Sequence, residues 1–221
     1  MVTESVTESI TEGNITYQVE IDENGHKRWL LNGNRHRVDG PACEYANGNK
    51  EWYLNGNRHR VDGPALEHVD GSKQWYLGGN RHRVDGPALE HADGSKQWYL
   101  NGNRHRVDGP ACEWANGDKH WYLNDKCHRV DGPAVEYANG RFKEWWLNGE
   151  RHRVDGPAIE RADGTKSWYL NGKQLTEGAF KEFRVKLKEL KQHPLDAPLY
   201  LHDKYLGSIA QEILEKGGIP V

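Results

Sequence analysis

Six of the twelve histidines in this 221-residue chain open one phrase, His-Arg-Val-Asp-Gly-Pro-Ala, at His36, His59, His82, His105, His128 and His152. Imidazole, guanidinium and carboxylate held this close together suggest metal ligation, acid–base or nucleophilic catalysis, or anion binding. Metal fails on distance. Two nitrogens on one zinc, each at ~2.1 Å, lie no more than ~4 Å apart, whereas equivalent residues one two-stranded unit apart are separated by ~10 Å. His59 and Asp62, three apart on an extended segment, point to opposite faces. No metal site and no cofactor are expected.

Catalysis fares no better. Ser72, Ser95 and Ser167 stand beside glycine turns, where turn preference explains them. Cys127 takes an arginine position next to His128, but neighbours on a strand send their side chains to opposite faces. A catalytic centre is also unique in its chain, and six near copies are not. The expectation is no catalytic residue and no enzyme. Anion binding is the better match to the residue types. Arg58, Arg60, Arg81, Arg83, Arg104 and Arg106 could grip phosphate or carboxylate bidentately, with Trp and Tyr stacking beside them. Small nucleotide-like anions or lipid headgroups would be the ligand class. Against this, Arg81, Arg83 and Lys96 are balanced within their unit by Asp85, Glu90 and Asp93, and the formal net charge is −3. That balance argues against nucleic acid, which needs unneutralised Lys and Arg.

The elements that carry these residues follow from the period. The histidines recur every 23 residues, with one step of 24, and Trp29, Trp52, Trp75, Trp98, Trp121 and Trp145 keep the same step before Trp168 opens a partial seventh unit. Each unit has an Asn-Gly after its aromatic run (Asn55-Gly56) and an Asp-Gly or Asn-Gly before it (Asp70-Gly71, Asn47-Gly48). Both dipeptides suit tight hairpin turns. Gly-Pro and two turns per unit exclude helix. The hydrophobic fraction of 35% is too low for a thick globule, and much of it is aromatic. The predicted fold class is mainly β: an elongated antiparallel meander of stacked 23-residue β-hairpin repeats, one hairpin per unit, with a short C-terminal α-helical cap.

Comparing units separates core from surface. The residue after Gly-Pro-Ala is always apolar but varies in shape: Cys43, Leu66, Leu89, Cys112, Val135 and Ile159. It must face the core. Two residues on stand Tyr45, His68, His91, Trp114, Tyr137 and Arg161, a variable amphipathic row on the same strand face. Tyr45, His68, His91, Trp114 and Tyr137 are the candidate partner-binding residues. The phrase itself reads as mortar. Its Asp can accept from backbone N–H groups or a nearby guanidinium, its His can bond the neighbouring hairpin, and its Pro ends a ladder.

Trp-Tyr-Leu-Asn-Gly-Asn-Arg-His at this period resembles the MORN repeat, with Tyr53, Gly56 and His59 matching that family's aromatic–Gly–His spacing. Arg60 and Asp62 stand where that family usually has glycine, and the second turn falls two residues later. The chain looks like a variant class, HRxDGPA, of a kind associated with bacteriophage, large-virus and bacterial proteins. The resemblance implies a twisted hairpin sheet acting as a scaffold, through partner binding, self-association or contact with lipid headgroups, without catalysis by the repeats.

Domain organisation is expected as an acidic segment over 1–19 that could supply a first strand, repeats over 20–173, and a helical tail over 174–221. In the tail, Phe180, Phe183, Leu187 and Leu190 fall at helical spacing behind Thr176 as cap, and "LGSIAQEILEK", with Ile209, Ile213 and Leu214, reads as a second helix. The first helix would cover the last hairpin's edge, with a membrane surface or partner contact through 176–191 as the other use. Cys43, Cys112 and Cys127 form no disulfide framework, no apolar run reaches the ~20 residues of a membrane span, and the polar start is no leader. A soluble cytoplasmic protein is expected, in the host cytoplasm if the source is viral. The functional expectation is a non-enzymatic repeat scaffold that binds a protein partner, an effector or inhibitor of a host or toxin protein in a viral or bacterial setting. Small-anion binding is the alternative, and homo-oligomerisation stays open.

Overall fold

The two dipeptide turns build the architecture. In a computed structural model of the chain, which describes residues 5–192, Asn55 and Gly56 both take positive φ, at 50° and 78°. This is the two-residue turn whose twist suits a hairpin, and it sets Tyr53 opposite Arg58 and Leu54 opposite Asn57. Gly78-Gly79 and Asn124-Asp125 keep the same backbone with other residues. At the second turn only the glycine is left-handed, Gly71 at 92°. Its N–H donates to His68 O and the His68 N–H to Ser72 O, both at 2.9 Å, while the Asp70 carboxylate accepts from the Ser72 N–H at 2.8 Å. The chain thus turns through three residues and a bulge.

The second turn propagates an antiparallel meander. Gln74 lies opposite Leu66 on one side and Leu89 on the other, and Gln97 likewise lies between Leu89 and Cys112. Every 23 residues the chain leaves this meander at a tryptophan. The Trp75 N–H donates to Ala88 O at 2.8 Å, and the Trp75 carbonyl accepts from the His82 N–H at 3.1 Å. Beyond that point the Asn-Gly or Gly-Gly hairpin pairs only with itself in strand terms. Each unit therefore holds two short hairpins, where the turn count had suggested one. The strands last two residues because the chain changes partner at each Trp.

The chain divides into two compact units, one running to residue 106 with 111–115, the other comprising 107–110 and everything from 116 on. The first opens with β1 (Val6–Glu12), β2 (Ile15–Ile21) and β3 (Lys27–Leu31). β1 pairs along all seven residues with β2, which in turn pairs with β3. Tyr17, Val19 and Trp29 are buried between them against Ile10, Ile15, Ile21 and Leu31. The acidic start thus supplies a full hairpin reaching Ile21, more than the single strand before residue 20 that the sequence suggested. Further along, Cys43, Leu66, Leu89 and Cys112 are buried as expected, each beside a fully buried Ala42, Ala65, Ala88 or Ala111.

In the second unit Val135 and Ile159 continue the apolar slot. It closes with a hairpin of Lys166–Leu170 and Lys173–Leu175, followed by α1 (Glu177–Gln192). Thr176 caps the helix, its Oγ1 accepting from the Ala179 N–H at 3.2 Å. Phe180, Phe183 and Leu187 then bury themselves against Leu170 and Leu175. This is the expected cap over the last hairpin. The second helix, with Ile209, Ile213 and Leu214, lies outside the described residues. Among the described residues no helix is long and apolar enough to cross a membrane.

Candidate functional site

Each copy of the phrase folds into a cage around its arginine. The Arg60 guanidinium lies over the Trp52 ring, 4.1 Å from its centroid. Its Nε–H donates to Asp62 at 3.1 Å, and one terminal nitrogen donates to Pro64 O at 3.2 Å and to Glu67 at 2.9 Å. Arg83, Arg129 and Arg153 repeat this set on Trp75, Trp121 and Trp145. Arg106 lies over Trp98 and donates to Glu113 at 3.0 Å. Arg37 takes Glu12 of β1 where the others take the Asp of the phrase. The arginine hydrogen bonds hold the Asp62, Asp85, Asp131 and Asp155 carboxyls below their ordinary range.

The glycine of the phrase closes the cage from the other side. Gly63 has no positive φ to explain it, but a Cβ there would stand 2.9 Å from Arg60 Cζ. The guanidinium plane is thus pressed between an indole and a bare Cα. The phrase's histidine works between units. His59 Nδ1 accepts from the Gly78 N–H at 3.1 Å, His82 Nδ1 from Asn101 at 3.2 Å, and His36, His128 and His152 from Asn55, Asn148 and Asn171 at 3.1 Å each. In His36, His82, His128 and His152 the same Nδ1 also lies 2.6–3.0 Å from the side-chain oxygen of that Asn, and the ring's tautomer sets which of the two contacts is the hydrogen bond. A second inter-unit ladder starts just after the other turn. Asn49, Ser72, Ser95 and Asp118 accept from the N–H groups of Val69, Ala92, Ala115 and Ala138. That is the role of Ser72 and Ser95, both buried.

The six arginines proposed for anions fall into two groups. Arg60, Arg83 and Arg106 sit in the tryptophan cages just described. Arg58 and Arg81 instead face the tyrosine side, because the chain leaves the strand between Arg58 and Arg60 and alternation breaks there. Arg58 lies between the rings of Tyr53 and Tyr76, with Glu51 at 3.6 Å. Arg81 lies between Tyr76 and Tyr99, with the neutral Gln74 at 3.4 Å. The Nε of each is buried without a partner. Arg104 is placed alike, opposite Tyr99.

The row proposed for a protein partner sits at the first corner of the second turn, where the carbonyls of Tyr45, His68, His91 and Tyr137 accept from the turn glycines. Tyr45, His68, Trp114 and Tyr137 are half-buried and His91 is exposed. Tyr45 packs edge-on against His26 at 5.3 Å, and Tyr137 contacts Phe142 at 4.2 Å with Arg141 over its ring at 4.8 Å. In the first compact unit the tyrosine side therefore carries Tyr45 together with Arg58 and Arg81, whereas Arg60, Arg83 and Arg106 lie over the tryptophans. Cys43, Cys112 and Cys127 are free thiols, and burial pushes the Cys43 thiol up. Among the described residues no three His, Cys, Asp or Glu are grouped to hold a metal ion.

One feature escaped sequence reasoning. The valine of the phrase is identical in all six copies, yet Val61, Val84, Val107 and Val130 are 83–84% exposed. Its signal was invariance itself, since the buried slot five residues later varies freely among Cys, Leu, Val and Ile. In the first compact unit these valines edge two grooves. One, of about 460 Å³, runs from the Arg37–Gly40 loop past Trp52, Leu54 and His59 to Val61. The next, of about 660 Å³, runs from Val61 past Trp75, Leu77 and His82 to Val84.

Neither a comparison with protein-family models nor one with curated proteins finds a match for the chain. Fold and site together define a class: an antiparallel β-hairpin repeat array whose charged motif is folded into its own units.

Proposed function

We propose that the protein is a non-enzymatic repeat scaffold that binds a protein partner, the role that its likeness to MORN repeats would also imply. One observation carries this reading: the arginines and histidines of the phrase are bonded within or between repeats, while its valine is offered to solvent on five of the six copies. A single exposed valine would mean little, but the same one repeated at the 23-residue period supports an interaction surface. In a viral or bacterial setting the partner would be a host or toxin protein. The test is co-purification from the source cell with the intact chain, with Val61→Glu/Val84→Glu, and with Tyr45→Ala/His68→Ala. A partner lost with the valine pair while circular dichroism stays unchanged supports the reading. Loss only on deleting 176–221 would reduce the repeats to a spacer.

A second reading, small-anion binding, draws on the tyrosine face. Gln74 and Gln97 replace the carboxylate that Glu51 offers to Arg58, so Arg81 meets no carboxylate there. Thermal shift with a nucleotide and polyphosphate panel tests it. A stabilisation abolished by Arg81→Gln but untouched by the valine pair would favour this reading over the first.

A further inference from the structure

The chain itself shows what fits beside one of these valines. Val154 is the sixth copy, and where Val38 is 54% and Val61, Val84, Val107 and Val130 are 83–84% exposed it is partly buried, packed against the cluster of Phe180, Phe183 and Leu187. Its carbonyl accepts from Arg184 at 2.8 Å. The floor under the helix is Trp168, Leu170 and Leu175, and the first two recur as Trp52 and Leu54 beside Val38 and as Trp75 and Leu77 beside Val61. His59 and His82 take the place of Leu175, setting an imidazole where α1 meets an aliphatic side chain.

We infer that the valine-edged grooves of the first compact unit receive an amphipathic α-helix of a protein partner, with Phe or Leu at i, i+3 and i+7, as in α1. This rests on the protein-binding reading above. Pitch agrees, because the loops recur about every 10 Å, two strands at ~4.8 Å each, and residues seven apart on a helix rise about 10.5 Å. One apolar side chain could therefore enter each successive groove. Charge is nearly balanced on both sides. The groove rims carry Asp39, Asp62 and Asp85 beside Arg37, Arg60 and Arg83, with Asp62 and Asp85 paired to Arg60 and Arg83, and α1 through residue 189 carries Lys181, Arg184, Lys186 and Lys188 against Glu177, Glu182 and Glu189.

The probe is a synthetic peptide of residues 176–192, held helical by a lactam between its solvent-facing Glu177 and Lys181, which already pair at 2.9 Å. It is titrated into the full chain carrying labelled valine methyls. The expected result is saturable shifts at Val38, Val61 and Val84 below about 1 mM. These are lost when Phe180, Phe183 and Leu187 of the peptide become Ala, and affinity falls at least about tenfold with Val61→Glu in the chain. No valine shift, shifts confined to Val154 through exchange with the resident helix, or equal shifts from the alanine peptide would each overturn the inference. If the peptide fails while Val61→Glu/Val84→Glu still loses the cellular partner, the protein-binding reading stands and the helical occupant falls. If the peptide binds but no partner depends on these valines, the reverse holds.

Discussion

Gly63→Ala tests the cage most directly. The new Cβ would lie 2.9 Å from Arg60 Cζ, about half an ångström inside ordinary carbon contact. The guanidinium cannot retreat, since the Trp52 centroid is 4.1 Å away on its other side. Relief must come from shifting the loop, which loosens the bonds to Asp62, Pro64 O and Glu67. Overpacking of this kind costs about 1–3 kcal/mol. The alanine returns about 0.4–1 kcal/mol by narrowing the unfolded ensemble, because no positive φ opposes it. A net loss of about 1–2 kcal/mol is expected. With Arg60→Ala already in place the collision partner is gone, and the same Gly63→Ala change should be neutral or stabilising. Urea unfolding of the four chains, followed by tryptophan fluorescence, closes the double-mutant cycle. An equal cost of Gly63→Ala in both backgrounds would refute the account.

Three further outcomes follow from the same contacts. His82→Ala should cost about 1 kcal/mol and speed amide exchange at Asn101, whose N–H loses its acceptor. Asp62, Asp85, Asp131 and Asp155 have depressed folded-state values, so their contribution is complete above the unfolded carboxyl value and disappears as pH falls through the lower folded one. The urea midpoint should therefore hold steady down to about pH 4 and then fall, with Asp→Asn at all four positions flattening that acid limb. Phe183→Ala, at a fully buried position under α1, should cost about 3–5 kcal/mol, against about 1 kcal/mol for removing the cap with Thr176→Ala; thermal unfolding at the helix band separates the two.

The period, both turns, the buried slot and the capped helix could all be read from sequence because each rests on a local signal. Asn55-Gly56 needs left-handed backbone wherever it stands, and Cys43, Leu66 and Ile159 share a position without sharing a shape. The pairing of His59 with the neighbouring hairpin and of Arg60 with Asp62 also followed from residue types. What could not be read was which face each arginine takes. Arg58 and Arg60 are two apart, which on an unbroken strand means one face, yet the chain leaves the ladder between them and separates them. The split at each Trp is hidden for the same reason, since it depends on the carbonyl of an alanine 13 residues on. Exposure of Val61 was equally invisible, because an apolar residue within a fixed phrase reads as core.

Both side-chain ladders run in a single sense along the chain. The acceptor, whether His59 Nδ1 or Ser72 Oγ, always precedes the N–H that it receives, from Gly78 or Ala92. A growing chain therefore presents finished docking points before the segment that needs them has been made. Within these two ladders the ends of the array are unequal: shortened from its start it strands donors, whereas shortened from its far end it uncovers lone pairs, although the backbone N–H of Arg60 also loses its partner there when Tyr76 O goes. Copying a unit onto the far side would need no redesign of what came before, and that asymmetry lets a 23-residue segment multiply almost unaltered.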